Sequence, residues 1–126
     1  MNLSDAKILV VEDDPLMRTF TVNLLKRLGI VHFQECADGT AALKVAGTFR
    51  PDLIVTDIHM QPMDGLEFVR RLNSMPNMHA GVIFMSADSS RETLGAALPL
   101  GVVAYIVKPP RLVDLKNKIE AALADL

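Results

Sequence analysis

The sequence predicts an α/β fold, a doubly wound parallel sheet of five strands with five helices, on the strength of three observations. Short apolar runs without polar alternation are typical of strands that helices cover on both faces. Amphipathic segments separate these runs, as right-handed crossovers between parallel strands require. The 126 residues match the length of one ordinary domain. We therefore expect a single domain over residues 1–126.

The first predicted strand, residues 7–11, leads directly into a helix. Asp14 is a suitable N-cap, and Pro15 fits the first helical position, where its missing N–H costs nothing. Glu12 and Asp13 are therefore carboxylates that helix capping does not use. The helix is expected to end at Gly29. The apolar residues predicted on its inner face are Met17, Phe20, Leu24, Leu25 and Leu28.

The middle of the chain predicts an edge strand, a short helix and the central strand. Residues 31–37 alternate only loosely, which favours a weaker strand at the sheet edge. A helix over residues 41–49 ends at Arg50, because a residue before proline avoids the helical region. Leu53 to Val55 form a continuous apolar run that indicates a buried strand, and this strand ends on Asp57. A third helix follows Gly65.

The last third of the chain predicts two more strands, each followed by a helix. Residues 81–86 are an apolar run that ends on Ser86, and residues 102–107 are another that ends at Lys108. Residues 89–92 read Ser-Ser-Arg-Glu and match a capping box, although Gly95 and Pro99 weaken the helix that follows. The apolar stripe predicted for the last helix consists of Leu112, Leu115, Ile119, Ala122 and Leu126.

Composition excludes several classes of partner. The formal net charge of −2 predicts no basic surface for a nucleic-acid backbone, so we expect no direct nucleic-acid partner. No apolar run reaches the ~20 residues of a spanning helix, so we expect no membrane partner. The single cysteine, Cys36, cannot form an internal disulfide, and it favours a reducing, cytoplasmic location.

Polar side chains follow four of the predicted strands. Because the carboxyl ends of parallel strands meet at one edge of the sheet, we expect Glu12, Asp13, Asp57, Ser86 and Lys108 to gather there. Clustered carboxylates repel one another unless a cation relieves them, and hard oxygen ligands suit Mg²⁺. A carboxylate beside Mg²⁺, an ammonium group and a hydroxyl is a suitable nucleophile for phosphoryl transfer. The sequence therefore predicts that Asp57 forms an aspartyl phosphate.

Four short motifs resemble those of one known family. They are Val11-Glu12-Asp13, Asp57 followed by Met60 and by Met63-Asp64-Gly65, Ser86-Ala87, and Lys108-Pro109. Together they resemble the receiver domains of bacterial two-component response regulators, and the resemblance covers essentially the whole chain. The resemblance implies a flavodoxin-like, CheY-like sheet with strand order 2-1-3-4-5, an order known for that family and not worked out from this sequence.

The resemblance also implies a role for each matching residue. Asp57 would be the phosphoacceptor, and Lys108 the cation that binds the phosphoryl group. Asp13 would bind Mg²⁺ directly, Glu12 through a water molecule, and the Lys108–Pro109 peptide bond would be cis. The remaining implied roles are a further Mg²⁺ ligand from the backbone carbonyl of His59, switch residues Ser86 and Tyr105, and lifetime-tuning residues His59 and Asp88.

Receivers of this kind take phosphate from a histidine kinase or a histidine phosphotransfer protein. They catalyse their own phosphorylation and usually their own dephosphorylation, so the resemblance implies a signalling domain and not an enzyme with a separate substrate. The expected output is a downstream protein target or a fused output domain, bound through the fourth helix, fifth strand and fifth helix. One position departs from the common pattern, because Gln61 stands where proline is usual and the proline follows as Pro62.

Three other functions remain open at this point. A phosphatase of the haloacid-dehalogenase type would also form an aspartyl phosphate, but its nucleophile would follow the first strand. A flavodoxin-like binder of a phosphate-bearing cofactor would need a Ser/Thr- or Gly-rich loop after the first strand, and the three acids at residues 12–14 would repel phosphate there. A receiver that no longer takes phosphate would act only as a docking module. The displaced proline, Pro62, leaves this hypothesis open.

Overall fold

The structure is a computed structural model, and it describes residues 1–124. Leu126, which the sequence places in the apolar stripe of the last helix, lies outside these residues. A 3₁₀ turn over Leu98–Leu100 follows the fourth helix. The strands and helices are β1 (Lys7–Val11), α1 (Pro15–Arg27), β2 (His32–Cys36), α2 (Gly39–Phe49), β3 (Leu53–Thr56), α3 (Gly65–Asn73), β4 (Gly81–Ser86), α4 (Arg91–Ala97), β5 (Ala104–Val107) and α5 (Leu112–Ala124).

The five strands form one parallel sheet in the order β2-β1-β3-β4-β5. The α/β fold class and the strand order are thereby confirmed. The chain order reverses direction between β1 and β3, which are adjacent, with Val11 opposite Thr56 in the register. A crevice at such a reversal is where open α/β sheets place their ligands. The residues after β1 and β3 therefore meet at this position.

The sheet carries a hydrophobic core on each face. Alternate residues of β1 divide between the two cores, with Ile8 and Val10 on one side and Leu9 and Val11 on the other. One core packs against α1 and α5, and the other packs against α2, α3 and α4. Both faces of the strand are fully covered, which explains the unbroken apolar run in the sequence. Among residues 1–124, the structure contains no helix with the length and hydrophobicity to cross a bilayer.

Side-chain caps begin the helices close to the predicted positions. Asp14 caps α1 as predicted, since its Oδ1 accepts from the N–H of Leu16 at 3.0 Å. The capping box predicted at residues 89–92 is wrong by one residue, because Ser90 is the N-cap of α4 and its hydroxyl accepts from the N–H of Thr93. The cause is Asp88, whose Oδ1 accepts from the N–H of Ser90 at 2.8 Å and so shifts the first turn of α4.

Three predicted details differ from the structure. Phe20 is 44% exposed, whereas Thr21 and Val22 are buried, so the buried face of α1 lies further round the helix than predicted. Successive residues turn by a hundred degrees or so, which places Phe20 beyond the margin of that face. Strand β5 begins at Ala104 and is shorter than predicted, and α2 begins two residues early, at Gly39.

Candidate functional site

Asp57 directly follows β3 and is fixed by backbone hydrogen bonds. Its N–H donates to the carbonyl of Val11 at 3.0 Å, which extends the β1–β3 ladder by one residue. Its Oδ1 accepts from the N–H of Ile58 at 2.6 Å and from the N–H of His59 at 3.3 Å. The hydroxyl of Thr56 donates to the Asp57 carbonyl at 2.9 Å. Since Asp57 is also buried, with 6% of its surface exposed, its carboxylate is held in one orientation.

Gly65 allows the start of α3 to pack directly against Asp57. A Cβ atom at this position would lie 2.1 Å from the Asp57 carbonyl oxygen and 2.9 Å from the Cα of Ile58. The N–H of Gly65 donates to the Ile58 carbonyl at 2.7 Å. Only glycine fits this close approach of two backbone segments. Gly65, the glycine of the Met63-Asp64-Gly65 motif, is therefore required by the packing behind Asp57.

Three carboxylates from two strand ends form an acidic cluster. Glu12, Asp13 and Asp57 each offer an oxygen, and these oxygens lie within 4.8 Å of one another. Glu12 is fully buried, whereas Asp13 is exposed and lies on a polar cleft of about 440 Å³ that reaches His59 and Gln61. Oxygen ligands of this kind, with one side open to water, are what Mg²⁺ prefers. The residues present therefore fit a magnesium ion.

Lys108 lies between two of these carboxylates. Its Nζ is 2.7 Å from Asp57 Oδ2 and also contacts Glu12 Oε1. Burial lowers the pKa of Lys108, but the hydrogen bonds to Asp57 and Glu12 outweigh burial and hold this pKa above its usual value. Burial, together with the charge of Asp57, raises the pKa of Glu12 to about 7 in spite of the contact with Lys108. When ionised, the three carboxylates and one ammonium leave two negative charges, which one divalent cation would balance.

The end of β4 is tied to β5 and to the loop after β4. Ser86 is 1% exposed, and its Oγ accepts from the N–H of Asp88 at 3.1 Å. The N–H of Lys108 donates to the Ser86 carbonyl at 2.9 Å. The hydroxyl of Tyr105 donates to the carbonyl of Asp88. Burial raises the pKa of Tyr105. Ser86 and Tyr105 are thus connected to one another through a single loop residue.

Asp88 also reaches across the mouth of the site to the loop after β3. Its Oδ2 lies 2.9 Å from His59 Nε2 and accepts from the hydroxyl of Thr93 at 2.6 Å. Hydrogen bonds to the Asp88 carboxylate hold its pKa well below the usual range, and the bond from the Thr93 hydroxyl contributes most, with that from the Ser90 N–H next. The Asp88 carboxylate is therefore charged at neutral pH and joins the site to the first turn of α4.

Comparisons with known proteins agree with this geometry. A sequence profile of the response regulator receiver domain matches residues 8–120. The chain belongs to the response regulator receiver family. Its receiver fold and its membership of a two-component signalling family are thereby confirmed.

Relatives of this receiver include proteins of about its own length and longer regulatory proteins. It is 36% identical to the chemotaxis protein CheY of Pseudomonas aeruginosa over 115 residues, which cover 90% of this chain and 93% of that protein. It is 30% identical to the transcriptional regulatory protein PdtaR of Mycobacterium tuberculosis, covering 94% of this chain and 57% of that protein. The crystal structure of chemotaxis protein CheY4 of Vibrio cholerae superimposes with a TM-score of 0.83 at 28% identity, covering 94% of this chain and 98% of that one.

The receiver fold brings together the residues that the sequence singled out. Glu12, Asp13, Asp57 and Lys108 form one contiguous group at the carboxyl edge of the sheet. The other four residues form a second group beside it, joined by hydrogen bonds through Asp88: Ser86 at the end of β4, Tyr105 on β5, and His59 and Asp88 in the loops after β3 and β4. The predicted cis bond between Lys108 and Pro109 is present, and the Gln61–Pro62 bond is also cis.

Sequence reasoning missed three residues of this receiver that support the site. Nη1 of Arg18 donates to the Glu12 carbonyl at 2.7 Å and so holds the loop that carries the first two acids. Ser90 and Thr93 complete the hydrogen bonds of the Asp88 carboxylate. The spacing of Ser90 and Thr93, three residues apart after a carboxylate, was the available signal for a capped turn. No sequence signal marks Arg18.

Proposed function

We propose that this receiver accepts a phosphoryl group on Asp57 from a histidine kinase or a histidine phosphotransfer protein. The observation that carries the proposal is the Asp57 carboxylate, which two backbone N–H groups orient and which Lys108 faces at 2.7 Å inside an acidic cluster. A carboxylate fixed beside an ammonium group can attack phosphorus without first reorganising its surroundings. The domain modifies itself and does not turn over a separate substrate.

In this reaction a carboxylate oxygen of Asp57 forms a bond to phosphorus while the donor's P–N bond breaks. The electron pair of the broken bond stays on the donor's imidazole, which takes up a proton. Lys108 can leave Glu12 and keep its contact with the phosphorylated Asp57, since its Nζ already reaches both side chains. Lys108 then places positive charge on the phosphoryl oxygens, and the hydroxyl of Ser86 supplies a hydrogen-bond donor.

The acidic cluster would hold Mg²⁺ in this function. Asp13 and Asp57 would bind it directly, Glu12 would bind it through water, and the His59 backbone carbonyl would supply a further oxygen. When bound, the ion supplies positive charge that offsets the charge of the phosphoryl oxygens. The support is the oxygen-only donor set within 4.8 Å and the excess negative charge that Lys108 leaves unbalanced.

Ser86 and Tyr105 would form the switch that reports phosphorylation. The phosphoryl group on Asp57 would carry about −1.5 to −2 charges in place of the single charge of the carboxylate. A Ser86 hydroxyl drawn towards it would release its bond from Asp88. Tyr105 is bonded to the same residue and would move with it. His59 and Asp88, at the mouth of the site, would set the lifetime of the phosphoryl group by controlling the approach of water.

The output surface would be the face of α4, β5 and α5. Four large apolar side chains on or beside these elements are exposed, which favours a protein partner over solvent. That partner is a downstream protein target or a fused output domain. We propose that the domain does not bind nucleic acid or a membrane directly. We also propose that residues 1–126 act as one receiver domain in the cytoplasm. The exposed side chains are Leu98, Val103, Val107 and Val113.

The test is intact mass after incubation with acetyl phosphate, a small phosphodonor, with and without Mg²⁺. We expect a Mg²⁺-dependent gain of one phosphoryl group that Asp57→Asn and Asp13→Asn both lose. Asp114→Asn is the matched control, because Asp114 pairs with Lys118 on α5, away from the site. A folded native protein that gains no mass would refute the proposal and favour a docking module. A phosphoryl group that persists in Asp57→Asn but is absent from Asp13→Asn would favour the hypothesis of a haloacid-dehalogenase-type phosphatase.

A further inference from the structure

Every polar group of Asp88 is engaged, and the partners lie on four different parts of the fold. Its N–H is bonded to Ser86 at the end of β4, and its carbonyl accepts from Tyr105 on β5. Its carboxylate accepts from the N–H of Ser90 and the hydroxyl of Thr93, and it contacts the ring of His59 after β3. A residue with this many partners fixes the position of its own backbone.

We propose that the Asp88 side chain is a positioning residue that holds the loop after β4 in place and thereby sets the positions of Ser86 and Tyr105. The inference rests on the proposed function only for its consequence in phosphoryl transfer. The positioning itself is a property of the unmodified protein. It differs from control of water access, because it acts through the backbone of residue 88 on the two switch side chains.

The three contacts of the Asp88 carboxylate differ in strength. The contact with His59 is exposed, since 60% of the His59 side chain is accessible, and exposed pairs contribute little. The arms to Ser90 and Thr93 close the first turn of α4, where the loss of a capping side chain has a larger effect. The main anchor of the loop is therefore the turn that joins Asp88 to α4, and His59 is a secondary anchor.

Tyr105 offers a direct readout. It is the only tyrosine, and the chain contains no tryptophan, so intrinsic tyrosine fluorescence reports on this ring alone. The ring is partly buried, and its hydroxyl is bonded to the backbone that Asp88 holds. If the loop is released, the ring is exposed for a larger fraction of the time and a soluble quencher such as acrylamide reaches it more often.

The experiment compares acrylamide quenching of Tyr105 in unphosphorylated variants without Mg²⁺. We expect the quenching constant to rise about twofold in Asp88→Ala and less in Thr93→Val and His59→Ala, in keeping with the capping and exposed-pair strengths. Asp88→Asn keeps the acceptor for the Ser90 N–H and the size of the side chain, so it should restore most of the native value. Asp114→Ala, which removes a carboxylate from α5, is the control and should leave quenching unchanged.

Two results would overturn the proposal. One is native quenching in a folded Asp88→Ala protein, with folding checked by far-ultraviolet circular dichroism. The other is equal quenching in Asp88→Ala and Asp88→Asn, which would show that hydrogen bonding by the side chain does not hold the loop. Neither result depends on phosphorylation. Failure of the acetyl phosphate experiment with the quenching pattern intact would therefore refute the proposed function alone.

Discussion

Gly65→Ala should displace the backbone of Asp57 without changing any polar side chain of the site. The new Cβ would lie 2.1 Å from the Asp57 carbonyl oxygen, and real Cβ atoms essentially never approach closer than 3.0 Å. The start of α3 and the backbone of Asp57 must therefore separate by nearly an ångström. The atoms in the way are backbone atoms of Asp57 and Ile58, which cannot rotate aside.

The expected loss of stability is about 3 kcal/mol, the upper end of the usual effect of overpacking, because no side chain can relieve the contact. The rate of phosphorylation should fall about 100-fold, which is the effect expected when a reacting group is displaced by about 1 Å. Urea unfolding measures the first quantity, and the rate of mass gain from acetyl phosphate measures the second. The phosphorylation rate is measured without urea, at a temperature at which the variant is folded. The loss of stability and the loss of rate are then measured separately.

Gly95→Ala is the matched control, because Gly95 lies within α4 and a Cβ there meets no atom of residues 1–124 within 4 Å. Alanine should stabilise this helix by about 0.5–1 kcal/mol and leave the phosphorylation rate unchanged. If Gly65→Ala proves as stable and as active as the native protein, the close approach behind Asp57 does not exist and our account of its fixed orientation is wrong.

Three further predictions concern buried groups. Thr21 is fully buried and its hydroxyl has no partner among the described residues, so the isosteric Thr21→Val should stabilise the protein by about 1 kcal/mol in urea unfolding. Burial raises the pKa of Cys36, so the folded thiol should be alkylated by iodoacetamide at least about tenfold more slowly than in urea, and equal rates would refute its burial. Lys108→Met should cost about 3–5 kcal/mol at pH 8 without Mg²⁺, because two buried carboxylates lose their shared ammonium. The pKa of Glu12 in the folded protein, about 7, is higher than in the unfolded chain, so the protonated carboxyl stabilises the fold at low pH and this stability is lost as pH rises through about 7. The Lys108→Met variant should therefore recover part of its lost stability at pH 6.

The sequence was a good guide to where each polar side chain leaves the sheet. Strand ends follow from local apolar runs, and in a parallel sheet all of these ends fall on one edge. Glu12, Asp57, Ser86 and Lys108 therefore could be assigned to a common site before any coordinate was known. The start of α1 was equally local, because Asp14 and Pro15 act within one turn.

Side-chain pairing was harder to predict, since it depends on contacts between distant parts of the chain. Lys108 and Asp57 are 51 positions apart, and nothing local indicates that the same ammonium also reaches Glu12. The predicted cap of α4 moved by one residue because Asp88 makes a competing turn, which is a choice between two local hydrogen bonds of similar strength. Phe20 is exposed because its position round α1 depends on how the helix packs against the sheet.

The site combines a part that the backbone holds still with a part that is held only by side chains. Asp57 is fixed by the β1–β3 ladder and by the start of α3, so its carboxylate has little freedom. The loop of Asp88 is instead anchored by hydroxyl and carboxylate groups, which a competing charge can recruit. Lys108 links the two parts, because its ammonium faces Asp57 while its N–H is bonded to the carbonyl of Ser86. A new charge on Asp57 can therefore act on the loop through two routes, the hydroxyl of Ser86 and the backbone of Lys108, and in both cases it is the weaker-held part that would move.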